Sequence, residues 1–382
     1  MNPSYQVDLV RSRRDHHDFL DVVAVVYAGD PHFVRLPRSE EIARITSKNP
    51  YFSHAKVALF VARDDKGRAV GRISAQIDEL AQEQQLHGGL KGHFGFLEAV
   101  DEVVMGELLD VAQAWLKEQG AATVTGPFSF SINEETGLLI EGHDDPARVL
   151  MNYAPSWYGP ALEKYGFTKA KDVLAFHFDC GLELPPQTKR MADKATSIPG
   201  LQHRILNKRH FAAEIRTIAD IFNDAWSENW GYVPMTDEEV AHMAASLKPI
   251  LPPDLVRIVE IEGQPAAMIV ILPDVHEALA GLGGKLFPFG WAKLLWRLKI
   301  RGLTRARVVL VGISGVWKND LRSAAIVALL MELSNRQLGE MGYTKLELSW
   351  ILEDNMAMMG IIKGLGGELY RRYRVYEKKL AG

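Results

Sequence analysis

Three neighbouring segments decide the fold: ARVVLVGIS at residues 306–314, SAAIVALLMELSNRQLGEMG at 323–342 and TKLELSW at 344–350. The first is a short β-branched run that reads as a strand. The second has helical spacing and stops near Gly342, and the third is strand-like again. Upstream, LVRIVEIEG (255–263) and QPAAMIVIL (264–272) make a hairpin; downstream, NMAMMGIIKGLGGELYRRYRVYEKK (355–379) adds a helix, a glycine turn and a strand. The first half follows the same plan. VALFVARD and AVGRISAQID flank a DDKGR turn, GELLDVAQAWLKEQG is helical up to Gly120, and TVTGPFS is strand-like. SWYGPALEKYGFTKAKDVLAFHF (156–178) then closes that half as 355–379 closes the other. The fold class is therefore mixed α/β (α+β), a pseudo-duplicated pair of similar domains.

The segment GLELPPQTKRMADKATSIPG (181–200) has paired prolines, a basic cluster and a terminal Pro-Gly. Its composition predicts a linker or an exposed crossover. The expected domains are residues 1–184 and 201–382, joined by 185–200, with an insertion at 281–307. At 382 residues the chain suits two domains. The net charge of -4 argues against a nucleic-acid partner. Cys180 is the one cysteine, which rules out an intrachain disulfide and a multi-cysteine zinc site. No apolar run reaches bilayer length, and the N-terminus has charges where a signal peptide would need an apolar stretch. A cytoplasmic protein is expected, with a place on the inner membrane surface left open.

The insertion contains KLFPFGWAKLLWRLKIRGLTRAR (285–307), with seven Lys or Arg and no acid. On a helical wheel Trp291, Leu294, Leu295 and Leu298 make one apolar arc, beside a cationic stripe of Lys293, Arg297 and Arg301. Trp296, Ile300 and Leu303 fall on the far side. Two apolar faces fit an element with one side on the protein and the other in an anionic lipid interface, with Phe287 and Phe289 leading into it. A helix buried between domains is the alternative.

The order hairpin, strand, helix, strand, helix, strand resembles the GNAT acyltransferase fold, here in tandem. ELSWILEDN (347–355), GIIKGLGGELYRRYRVYEK (360–378) and GPFSFSINEETGLLIEGHDDP (126–146) with NYAPSWY resemble a bacterial tandem GNAT-like family. Some members of that family are described as ceramide synthases. The resemblance implies an acyl-CoA-dependent N-acyltransferase that joins a fatty acyl group to a long-chain amine such as a sphingoid base. No Ser-His-Asp or Cys-His nucleophile set stands out, so direct attack of the amine on the thioester is the simpler mechanism, and no metal is expected. A short-chain acetyltransferase on a soluble amine, or a non-catalytic lipid-binding protein, are the alternatives.

A thioester donor needs a splayed strand edge with unpaired N–H groups and a helix N-terminus for the pyrophosphate. Here Val311, Gly312 and Ile313 would supply the edge. Arg322, Ser323 and Ala324 would open the helix. The family loop carries glycines after a Gln or Arg, whereas KNDLRSAA (318–325) has none, and Asp320 opposes an anion. In the first half the matching DEVVMGELLD (101–110) is acidic, so the second domain is the better candidate for CoA. Asn133, Glu134 and Glu135 in SINEETG are the sharpest cluster of proton-accepting and amine-recognising groups, against a solvated turn as the plain reading. The resemblance favours the catalytic role. It also places Ser349 and Asn355 near the acyl donor, although Asn355 equally suits a helix N-cap. Tyr153, Trp157 and Tyr158 would line an amphipathic substrate pocket or a core edge. His143 in GHDDP has no second histidine at metal spacing.

Overall fold

Among the described residues thirteen strands are interspersed with helices. They are β1 (Gln6–Leu9), β2 (Ala55–Arg63), β3 (Ala69–Asp78), β4 (Lys91–Ala99), β5 (Thr123–Gly126), β6 (Leu138–Glu141) and β7 (Thr168–Asp179), followed by β8 (Leu201–Ile205), β9 (Val256–Ile261), β10 (Gln264–Pro273), β11 (Arg305–Ile313), β12 (Lys345–Leu352) and β13 (Glu368–Lys379). This computed structural model describes residues 5–84, 89–318, 320 and 322–380. Two units emerge from it. Unit 1 is Met1–Val173, Leu279–Leu286 and Arg371–Gly382; unit 2 is Leu174–Ala278 and Phe287–Tyr370.

In unit 1 the strand order is β1-β2-β3-β4-β5 and then the C-terminal part of β13. The β2–β3 turn forms because the Asp64 carboxylate accepts the Lys66 and Arg68 N–H groups. The helix Glu102–Glu118 is capped by Asp101, which accepts the Val104 N–H at 2.8 Å. Its stripe of Val104, Leu108, Ala112 and Leu116 is buried, as helical spacing requires. A second cluster of Phe19, Leu20, Tyr51, Phe96 and Phe130 fills the opposite layer.

In unit 2 the order is β7-β12-β11-β10-β9-β8. The helix Ser323–Glu340 is buried around most of its circumference, including Ile326, Leu329, Leu330, Leu333 and Leu338. These side chains join Leu346 and Leu348 of β12 and Ile269 and Ile271 of β10 in one core. Helical burial on all sides explains why the SAAIVALLMELS run is so uniformly apolar.

Two boundaries differ from the composition-based expectation. Residues 185–200 do not form an extended linker: Pro186–Thr196 is a helix with a proline in its first turn, and Ala192 and Ala195 are fully buried in the unit 2 core. A proline fits the first helical turn because that N–H has no helical partner. The chain passes between units inside β7 and again inside β13, so the last strand from Arg371 onward completes unit 1, while its first residues, Glu368–Tyr370, belong to unit 2. The 281–307 insertion is also divided, since Leu279–Leu286 belongs to unit 1 and residues from Phe287 onward to unit 2.

Candidate functional site

In unit 2, β11 and β12 run parallel and pair at Arg305↔Lys345, Ala306↔Leu346, Arg307↔Glu347 and Val308↔Leu348. The register ends there. On the other side β11 stays paired with β10 out to Ile313, after a bulge between Val270 and Ile271 that leaves Val309 extra. The two parallel strands therefore part into a fork, with residues 309–313 on one arm and 349–352 on the other. Val311, Gly312 and Ile313 lie on the first arm, and Ser349 is the first residue of the second. Forks at the carboxyl ends of parallel strands are where α/β sheets bind ligands. Gly312 is needed for the packing of this arm, because a Cβ there would sit 2.5 Å from the Trp226 ring.

The helix N-terminus beyond this arm is already occupied by its own chain. The Arg322 guanidinium donates to Asp320 from Nε at 2.8 Å and stacks over Trp317 at 4.9 Å. The Ser323 hydroxyl donates to the Asp320 carbonyl at 2.7 Å. These bonds from Arg322 pull the Asp320 carboxyl down to about 2. Ala324 follows in the first turn. Asn355 caps the helix Met356–Gly364, its Oδ1 accepting the Met358 N–H at 3.0 Å.

At the base of the fork lies a buried polar cluster. Arg307 Nε donates to Ser349 Oγ at 2.8 Å, and Ser349 Oγ donates to Glu347 Oε1 at 2.6 Å. The Tyr370 hydroxyl donates to the other Glu347 oxygen. Arg307 also stacks on the Trp350 ring at 5.4 Å. Glu347 is only 1% exposed.

Unit 1 has the equivalent pair of strands, and its fork is shut. β4 and β5 pair at Lys91↔Thr123, Gly92↔Val124 and His93↔Thr125. The chain after β5 then stays on β4: Phe128 N–H donates to the Phe94 carbonyl at 2.7 Å, and Phe96 N–H donates to Ser129 Oγ at 3.0 Å. Gln76 Nε2 ties down the Phe128 and Phe130 carbonyls. Two glycines permit this approach. A Cβ on Gly95 would lie 1.8 Å from the Phe128 carbonyl oxygen, and one on Gly126 2.3 Å from that of Phe94.

The SINEETG carboxylates serve this closure. Arg44 donates to Glu134 at 3.2 Å, to Glu135 at 2.8 Å and to the Ser129 carbonyl, with its guanidinium over Phe96 at 4.9 Å. Asn49 also donates to Glu134. Burial raises the Glu134 carboxyl above its usual range, against the pull of Arg44. The Asn133 N–H donates to Ser131 Oγ at 3.1 Å within the turn.

The aromatic residues divide. Tyr158 is fully buried, accepts the Ala99 N–H at 2.6 Å and lies 3.3 Å from Glu98; Trp157 packs edge-on against it. Tyr153 donates to Asp30 at 3.0 Å. Glu98 was not singled out by sequence reasoning. It receives the Tyr27 hydroxyl at 2.8 Å and faces Arg72 at 3.7 Å. Burial pushes its carboxyl up to about 7, although Arg72 and the tyrosines counteract it. Arg307 and Glu347 were missed as well; the available signal was a charge at an inward position of an otherwise apolar strand.

The basic aromatic segment forms a helix, Gly290–Trp296, continued by a π-helical turn, Arg297–Arg301. Phe287, Phe289, Trp291, Leu295, Trp296 and Ile300 are all exposed, Phe287 by 83%. The expected cationic stripe is altered: Arg297 donates to the Ala278 carbonyl at 2.6 Å and Arg301 faces Glu277 at 3.7 Å. Lys293 and Lys299 remain exposed beside the aromatics.

The repeated forked sheet defines a tandem GNAT architecture. Among solved structures, a tandem GNAT protein from the clavulanic acid biosynthesis pathway covers 99% of this chain and 99% of its own, with TM-score 0.56 at 12% identity. A GCN5-related N-acetyltransferase from Sphaerobacter thermophilus covers 99% and 96% with TM-score 0.52 at 13% identity. In sequence, the chain is 41% identical over 381 residues to a protein of Caulobacter vibrioides named bacterial ceramide synthase, covering 99% of this chain and 98% of that one. It is 40% identical over 382 residues to Protein YghO of Escherichia coli, covering 99% and 96%. No family model matches. The chain belongs to the family of the bacterial ceramide synthase, and its class is that of the acyltransferases.

Proposed function

We propose that unit 2 is the acyl-transferring unit and that the acceptor is a long-chain amine of the sphingoid-base type, met at an anionic membrane surface. The observation that carries this reading is the open β11–β12 fork, set against the closed fork of unit 1. Main-chain N–H groups of the arm containing Val311, Gly312 and Ile313 would polarise the thioester carbonyl, and water exclusion would strengthen that interaction. Arg322, Ser323 and Ala324 would meet the CoA phosphates at the helix N-terminus once Arg322 leaves Asp320. Ser349 faces the attacking amine, and Asn355 holds the helix after the fork. The amine attacks directly, so positioning and proton removal are the protein's main tasks.

Unit 1 has a supporting part in this reading. Asn133, Glu134 and Glu135 keep its fork closed, and Tyr153, Trp157 and Tyr158 stiffen the layer beside it. The name of the Caulobacter relative supports a ceramide product. The exposed Phe287, Phe289, Trp291, Trp296 and Ile300, with Lys293 and Lys299, fit a lipid interface that delivers acceptor and acyl chain. Arg297 and Arg301 anchor that element. No helix among the described residues is long and apolar enough to cross a membrane.

Purified protein incubated with long-chain acyl-CoA and sphingoid amines should yield amide and free CoA by mass spectrometry. No amide across several chain lengths would overturn the assignment. Replacing Lys293 and Lys299 with Glu should lower partition onto anionic vesicles by about 30-fold or more, since each surface cation contributes about 1 kcal/mol; unchanged binding would remove the membrane role. The Arg322–Asp320 pair favours a second reading, a lipid-binding protein whose phosphate loop no longer takes CoA. Calorimetry with CoA separates the two, because that reading requires no binding heat at millimolar CoA.

A further inference from the structure

The buried Arg307–Ser349–Glu347–Tyr370 cluster is expensive to keep inside a sheet. A buried ion pair seldom adds stability over apolar residues of the same size. Its position gives it a use. Ser349 is the first residue past the paired register, so its main chain opens the second arm of the fork, while its buried hydroxyl lies on the same face as Glu347, two residues back. The hydroxyl is held in one orientation: it accepts from Arg307 Nε and donates to Glu347. The neighbouring Trp350 indole N–H is buried and has no hydrogen-bond partner among the described residues. In unit 1 the serine that follows β5, Ser129, has its hydroxyl spent on the Phe96 N–H. The closed fork uses its serine to stay closed, whereas the open one aims its serine at a carboxylate.

We propose that Ser349 and Glu347 form the proton-accepting path for the attacking amine, with Arg307 and Tyr370 as positioning residues. This rests on the unit 2 reading given above. The acceptor enters as an ammonium. One of its protons passes to Ser349 Oγ as the hydroxyl proton moves to Glu347 Oε1, which frees the nitrogen lone pair. The nitrogen then forms the C–N bond, the C–S bond breaks, and a second nitrogen proton passes to the departing thiolate. The products are amide and CoA thiol, and the proton on Glu347 returns to solvent between turnovers. Glu347 acts through Ser349, so its role is read from pH dependence.

The charged and titratable groups around Glu347 are Arg307 on β11, Tyr370 on β13 and, against Tyr370 at 4.7 Å between ring centres, His177 on β7 with Glu368 beyond it. The helix Phe211–Trp226 packs on β10 and β11, but its Glu214 is held by Arg204 and its Asp224 by the Gly315 N–H.

The experiment measures amide formation by wild type, E347Q and S349A with a long-chain acyl-CoA and a sphingoid amine from pH 6 to 10, with thermal melts and CoA calorimetry on each. Loss of the path should lower kcat about 100-fold at pH 7 with KM for acyl-CoA unchanged. The deficit should shrink toward pH 10, where the amine loses its proton unaided. Y370F should show a smaller loss of the same form. Folded variants with the wild-type kcat and pH profile would overturn the proposal. A loss of equal size at every pH would also overturn it, since that marks a merely structural role. If E347Q does not fold, S349A decides alone, because it leaves the Arg307–Glu347 pair in place. A wild type inactive on every amine and acyl donor would remove the unit 2 reading and this path together.

Discussion

The two forks start from equivalent pairs of parallel strands, β4–β5 and β11–β12, and end in opposite states. In unit 1, Phe96 N–H, the Ser129 hydroxyl, Gln76 and Arg44 join the arms, and Gly95 and Gly126 let them touch. In unit 2 the paired register stops at Val308↔Leu348, and the polar cluster lies below the opening. Duplication supplied the same splayed edge twice. Filling the donors of one edge with the chain's own acceptors makes it structural, whereas the β11–β12 pairing of the other ends at Val308↔Leu348 among the described residues, the edge that the proposed function gives to a carbonyl from outside.

The largest expected effect breaks the closed fork. In G95A the added methyl cannot coexist with the Phe128 carbonyl, and we expect a loss of about 3 kcal/mol or more. A thermal melt checks this; a variant as stable as wild type would mean that the closure yields easily. The Glu98 network sharpens the same contrast. Its carboxyl titrates near 7 in the folded chain, above its ordinary value of 4.5, so the folded state holds the extra proton between those limits. Stability should therefore be greatest below about pH 4.5 and fall as pH rises to about 7, by about 3 kcal/mol relative to E98Q. Parallel pH–stability curves for wild type and E98Q would contradict it. The smallest effect concerns the open fork. D320N releases Arg322 from its partner and should tighten CoA binding about threefold, measured by calorimetry. An unchanged or weaker affinity would show that Arg322 does not meet phosphate.

Much of this architecture is written in local patterns. The turn at Asp64, the cap at Asp101 and the apolar surface of Ser323–Glu340 follow from neighbouring residues. Closure of unit 1 does not follow locally, because Phe96 meets Ser129 across 33 residues and nothing in either segment names the other. SINEETG gives a cluster of acids, but only the fold brings Arg44 onto Glu134 and Glu135 from 90 residues away. The PPQTKR composition suits a linker and a helix start equally well. Buried alanines at 192 and 195 decide it. The basic aromatic segment was legible as a helix with two apolar faces, while the inward bond from Arg297 to a backbone carbonyl was not.

The last strand has a consequence for how the chain is made. β13 pairs with β5 through Tyr376↔Gly126 and Lys379↔Thr123, so unit 1 includes residues that leave the ribosome after all of unit 2. Its first 173 residues emerge early and wait with β5 uncovered on that side. Unit 2 needs nothing beyond Tyr370 and is fully synthesised while its neighbour is still incomplete. The half that comes first in the gene is therefore finished last. Dividing the chain in the 185–200 region would not yield two independent proteins, because one fragment would lack its final strand and the other would carry it unpaired.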